Sequence, residues 1–66
     1  MTSITLNATI MDSNAPHVQA LLEQHNLTQG RYAVEIDGML VPKSRLADTS
    51  LTENMRIEVV QAVGGG

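Results

Sequence analysis

Ile4-Thr5-Leu6-Asn7 alternates, with Ile4 and Leu6 on one face and Thr5 and Asn7 on the other, as in a half-buried strand. A tight turn near Asn7-Ala8 leads to a second short strand around Ile10-Met11, within the span Ile4 to Asp12. Ser13-Asn14 offers a helix cap and Pro16 suits a first helical turn, where its missing N–H would have no partner. Val18, Leu21 and Leu22 then recur at helical spacing as one apolar stripe, while Gln19, Glu23 and Gln24 face elsewhere. Asn26 stops the helix, and Thr28-Gln29-Gly30 reads as loop.

Strand periodicity returns in Tyr32, Val34 and Ile36, interleaved with Ala33, Glu35 and Asp37. Asp37-Gly38 is a strong hairpin turn, because both positions tolerate positive φ. Met39-Leu40-Val41 follows as a short strand that Pro42 ends or confines to an edge. Residues 43 to 54 look irregular, with Leu46 and Leu51 as core anchors. Met55, Ile57 and Val59 alternate with Arg56 and Glu58 in a last strand. There the phase slips: Val60, Ala62 and Val63 are apolar, and Gln61 takes the inward position. A bulge, or a strand leaving the sheet, would explain the slip structurally. An apolar patch offered to a partner would explain it functionally, and the two are compatible. The pattern gives an α+β chain of two strands, one helix and three strands, without repeats or an internal domain boundary.

Sixty-six residues make one small domain, which buries only about 60% of its unfolded surface. The chain is 42% hydrophobic and 17% charged, which is a globular rather than a disordered composition. It has no cysteine, so disulfides, cysteine zinc sites and thiol nucleophiles are excluded. Seven carboxylates against Arg31, Lys43, Arg45 and Arg56 leave a net charge of −3. With scattered cations and Tyr32 as the only aromatic, nucleic acid is not an expected partner. No apolar run exceeds three residues and no signal-like segment opens the chain, so a soluble, cytoplasmic protein without a membrane role is expected.

Side-chain catalysis is hard to assemble from these residues. His17 and His25 lie eight residues apart, about 12 Å along a helix, and read as solvated helix positions. Asp12, Asp37 and Asp48 lack metal-loop spacing and read as turn and loop residues. Two glycosylation sequons, Asn7-Ala8-Thr9 and Asn26-Leu27-Thr28, read as local turn formers. No metal, cofactor or catalytic residue is expected.

The segment Val63-Gly64-Gly65-Gly66 is different, because an apolar strand runs directly into it. Its glycines let a partner's walls close around the chain, and three extended residues reach roughly 10 Å beyond Val63. The expected organisation is a domain over residues 1–63 and a flexible tail over 64–66.

The sequence resembles the sulfur carriers of thiamine biosynthesis, the ThiS family, over essentially its whole length. The resemblance rests on Leu21-Leu22-Glu23, Val34-Glu35-Ile36-Asp37-Gly38, Val41-Pro42-Lys43-Ser44, Ile57-Glu58-Val59-Val60 and the terminal glycines, in this order. It implies a ubiquitin-like β-grasp, with a mixed sheet of four to five strands packed on one helix. It implies a protein cosubstrate rather than an enzyme. An E1-like adenylating enzyme would activate the carboxylate of Gly66, and a cysteine desulfurase or other sulfur donor would convert it to a thiocarboxylate. Thiazole synthase would then take the sulfur. Gly64 and Gly65 would enter the partners' active sites, Val60, Ala62 and Val63 would dock on them, and the free carrier would be a monomer. A molybdopterin-type sulfur carrier, a ubiquitin-like protein modifier and a plain β-grasp interaction module with an inert tail are the alternative readings.

Overall fold

A computed structural model describes residues 1–62. The strands are β1 (Thr2–Leu6), β2 (Thr9–Ser13), β3 (Tyr32–Ile36), β4 (Met39–Val41) and β5 (Met55–Gln61), and the helix α1 spans Val18–Gln24. They form one five-stranded sheet in the order β2-β1-β5-β3-β4, with α1 across one face. Both hairpins, β1–β2 and β3–β4, are antiparallel, as is β3–β5. The β1–β5 pair is parallel, so the sheet is mixed and the last strand lies at its centre. This is the ubiquitin-like β-grasp.

Sequence pattern and packing agree over most of the core. Ile4 and Leu6, Val34 and Ile36, and Met55 and Ile57 all point at α1, which returns Val18, Leu21 and Leu22, each fully buried. Leu46 closes the bottom of this core at 0% exposure, and Leu51 packs against its edge. Two turns close the hairpins with both central residues at positive φ, as type I′ requires: Asn7 (49°) with Ala8 (70°), and Asp37 (52°) with Gly38 (85°). Asn26 (57°) ends the helix region and Asn54 (66°) turns the chain into β5. Both sequon asparagines are thus turn formers.

The start of the helix lies elsewhere than the Ser13-Asn14 cap and first-turn Pro16. Ser13 is the last residue of β2, paired with Thr2, and its Oγ accepts the Ala15 N–H at 3.0 Å. The cap is His17, whose Nδ1 accepts the Ala20 N–H at 3.1 Å, and the Val18 N–H donates to the Thr49 carbonyl at 2.8 Å. His17 and His25 therefore bracket α1 as its two caps rather than lying on it. Asp12 is likewise a strand residue of β2, not a turn. Residues 43–54 are less irregular than expected, since Lys43–Asp48 form a 3-10 helix that carries Leu46 inward.

Candidate functional site

The phase slip at the end of β5 arises without a bulge and without the strand leaving the sheet. The β3–β5 register runs unbroken from Ile36↔Ile57 through Val34↔Val59 to Tyr32↔Gln61, and the Ala62 N–H still donates to the Arg31 carbonyl at 3.0 Å. Side chains therefore keep alternating. Val59 and Gln61 turn to the helix side, and Val60 is left 63% exposed on the outer face, with Ala62 exposed beyond it. A seven-residue helix covers only about 10 Å of sheet, so Gln61 stays half-buried at the open end. The unbroken register excludes both structural explanations of the slip and leaves Val60 and Ala62 exposed on the outer face.

Around that patch, Arg31, Tyr32, Ala33, Val60 and Ala62 line one open depression. Tyr32 is held from the helix side by Lys43, whose Nζ lies 4.1 Å from the ring centroid. Of the docking residues expected from the sequence, Val60 and Ala62 share this depression. Val63, Gly64, Gly65 and Gly66 lie outside the described residues.

Hydrogen bonds from both neighbours hold β5 in place. On the β3 side, the Asp37 N–H donates to the Arg56 carbonyl at 2.8 Å and the Asp37 carboxylate accepts the Arg56 N–H at 3.0 Å. On the β1 side, the Asn7 N–H donates to the Ile57 carbonyl at 2.9 Å, and Asn7 Oδ1 accepts the Val59 N–H at 2.8 Å. The side chain of Asn7 thus continues the ladder one step past the end of β1. At the entrance to β5, the Asn54 N–H donates to the Ser3 carbonyl at 2.7 Å.

The sequence reading missed how far the outer face is apolar. Ile10 on β2 is 77% exposed and Leu40 on β4 is 70% exposed, both on outward parity with Val60. Arg56 and Glu58 lie between them, with open depressions on either side. The outward parity of Ile10 and Leu40 was readable in the alternation, but the cross-strand register that unites them with β5 was not. Among the described residues no group of three or more His, Cys, Asp or Glu side chains could hold a metal ion. No helix among them is long and apolar enough to cross a membrane.

Comparison with known proteins agrees with this architecture. The crystal structure of the thiamine biosynthesis protein ThiS from Geobacter metallireducens superposes with a TM-score of 0.78. The superposition covers 98% of this chain and 100% of that one, at 22% identity, a likeness of fold. No curated protein sequence matches the chain. The ThiS family model matches residues 3–66, from the start of β1 through the terminal glycines. With nearly every residue inside that match, the chain belongs to the ThiS family of small sulfur carriers.

Proposed function

We propose that this protein carries sulfur for thiazole formation as a thiocarboxylate on Gly66. The observation that carries this reading is the ThiS family match, which extends through the glycine segment. The geometry of β5 supports it: β3 and Arg31 bond the strand up to Ala62 on one edge, and β1 with Asn7 bonds it up to Val59 on the other, so residues 63–66 follow directly from a strand anchored in the sheet. In this reading residues 1–63 are the domain and 64–66 the tail, and the protein is a cosubstrate rather than an enzyme.

The chemistry follows from the poor electrophilicity of a carboxylate. An E1-like adenylating enzyme transfers AMP from ATP to the Gly66 carboxylate and releases pyrophosphate. A persulfide, supplied by a cysteine desulfurase or a related donor, attacks the acyl carbon and expels AMP. Reduction of the resulting acyl disulfide by a thiol leaves the thiocarboxylate, whose sulfur thiazole synthase consumes. Lack of cysteine suits the role, because no thiol of the carrier can attack its own activated terminus. Gly64 and Gly65 give the tail the slim profile that a narrow active site admits, while Val60, Ala62 and Val63 contact the partner beside it. In this reading the carrier acts as a monomer, and its dependence on ATP makes the cytoplasm the expected location.

Intact mass spectrometry tests the reading. The chain is incubated with the adenylating enzyme, ATP and a sulfur donor, beside a variant lacking Gly65 and Gly66. A mass gain equal to oxygen replaced by sulfur, absent from the shortened variant, is the expected result. An AMP adduct that never exchanges for sulfur would favour a protein modifier. An unchanged mass, with the enzyme active on another carrier, would overturn the proposal.

A further inference from the structure

The turn between β3 and β4 combines a reactive dipeptide with a geometry that withholds its reaction. Asp37-Gly38 is the only place in the sequence where an Asp or Asn precedes a glycine. The next residue's amide nitrogen can attack the side-chain carbonyl carbon of such a residue, and glycine leaves that nitrogen unshielded. Both residues are exposed, and a Cβ placed on Gly38 would meet nothing within 4 Å, so water reaches the turn freely. In an unfolded chain the Gly38 nitrogen bonds to Cγ of Asp37, its proton goes to solvent, and a carboxyl oxygen leaves as water. The resulting succinimide then takes one water back. Addition at Cγ restores aspartate. Addition at the main-chain carbonyl breaks its bond to the Gly38 nitrogen, and the chain runs on through Cβ and Cγ as isoaspartate. Mass is unchanged, and water is the only co-reactant.

The folded turn opposes the first step in two ways. Asp37 (φ 52°) and Gly38 (φ 85°) are the central residues of a type I′ turn, whose first position has a ψ of about +30°. Ring closure requires Cβ of Asp37 and the Gly38 nitrogen to eclipse about the Cα–C bond. At that ψ they stand nearly opposite each other. The carboxylate is also engaged, since it accepts the Arg56 N–H at 3.0 Å while the Asp37 N–H donates to the Arg56 carbonyl at 2.8 Å. Bringing Cγ onto the Gly38 nitrogen therefore means unwinding the turn and releasing the Arg56 N–H. That amide belongs to the second residue of β5, so the same release loosens the entrance to the central strand.

We propose that Asp37-Gly38 is a latent isoaspartate site, closed while the turn holds β5 and open only when that hold is released. The product does not regain the turn, because an extra main-chain methylene lengthens the two-residue connection and the carbon that carried the Arg56 acceptor has become main chain. The full chain is kept at 37 °C and neutral pH, folded and in denaturing urea, and methyl transfer by an isoaspartate-specific methyltransferase counts the product. Cleavage after Arg31 and Lys43 isolates residues 32–43, whose isoaspartate form separates at equal mass and locates the site. Isoaspartate at position 37 should accumulate at least about tenfold more slowly in the folded chain, a factor that the hydrogen bond to the carboxylate alone supplies. In a synthetic chain with isoaspartate at position 37, the thermal midpoint should fall by at least about 4 °C and the Arg56 amide should exchange faster. Equal rates with and without urea would overturn the proposal by showing that the turn withholds nothing. An unfolded chain that forms no isoaspartate at position 37 would overturn it as well. So would a synthetic isoaspartate chain that keeps the wild-type midpoint and Arg56 exchange, since the modified turn would still hold β5. None of these readouts uses the adenylating enzyme, so they stand apart from the sulfur chemistry of Gly66.

Discussion

Asn7 combines two roles in one residue, a left-handed backbone and an acceptor for β5, and three substitutions separate them. Asn7→Gly keeps the φ of 49° accessible but removes the Oδ1 that accepts the Val59 N–H at 2.8 Å. That single exposed hydrogen bond is worth about 1 kcal/mol. Asn7→Ala loses the bond and also the tolerance of the left-handed region that Asn's short polar side chain gives, adding about 1 kcal/mol. Asn7→Asp keeps an acceptor on a residue that tolerates the turn, and should fall within about 0.5 kcal/mol of wild type. For a domain of this size each kcal/mol moves the thermal midpoint by about 4–8 °C. The order expected is therefore wild type and Asp, then Gly, then Ala. Urea unfolding followed by far-ultraviolet circular dichroism measures it, since Tyr32 is the only aromatic probe. Hydrogen exchange at the Val59 amide gives the local test, with faster exchange in the Gly and Ala variants and not in Asp. If Asp were as damaging as Ala, or if Val59 exchanged at wild-type rate in the Gly variant, the side chain of Asn7 would not be extending the ladder.

Two further substitutions probe the packing around α1. His17→Ala should cost about 1 kcal/mol by leaving the Ala20 N–H without its acceptor, whereas His17→Asn restores a cap; equal thermal midpoints for the two would refute the capping role. Leu46→Ala empties a fully buried site and should cost about 2–5 kcal/mol, enough to populate the unfolded state of so small a domain at 37 °C. Retention of wild-type dispersion in its proton NMR spectrum at that temperature would contradict the assignment of Leu46 as a core anchor.

Where the sequence could be read, it was read through periodicity and turn chemistry. Strand alternation in 32–36 and 55–59, and the stripe Val18/Leu21/Leu22, report burial directly, because each residue's own neighbours along the chain determine its face. Asp37-Gly38 and the two sequon asparagines announce turns through their tolerance of positive φ. The helix cap was illegible for a different reason. Ser13 and Asn14 are strong generic caps, but Ser13 is drawn into β2 by pairing with Thr2, a contact eleven residues away that local propensity does not contain. Histidine is an uncommon cap, so His17 gave no signal. The phase slip was visible and its cause was not. Whether Val60 leaves the sheet or stays in it depends on Ala33 across the ladder, and whether Gln61 can face inward depends on where α1 ends.

The parallel pairing of β1 with β5 has a mechanical consequence. Tension that enters at Gln61 and is resisted at Thr2 pulls these two neighbouring strands past each other along their length. The bonds that join them, together with the Asn7 clamp and the β3 ladder on the far side, lie across that direction and share the load at once. A sheet loaded this way must shear as a block, whereas a hairpin pulled from its open end would unzip one bond at a time. A partner can therefore draw on the end of β5, or release it, without starting to unravel the strand from which it hangs.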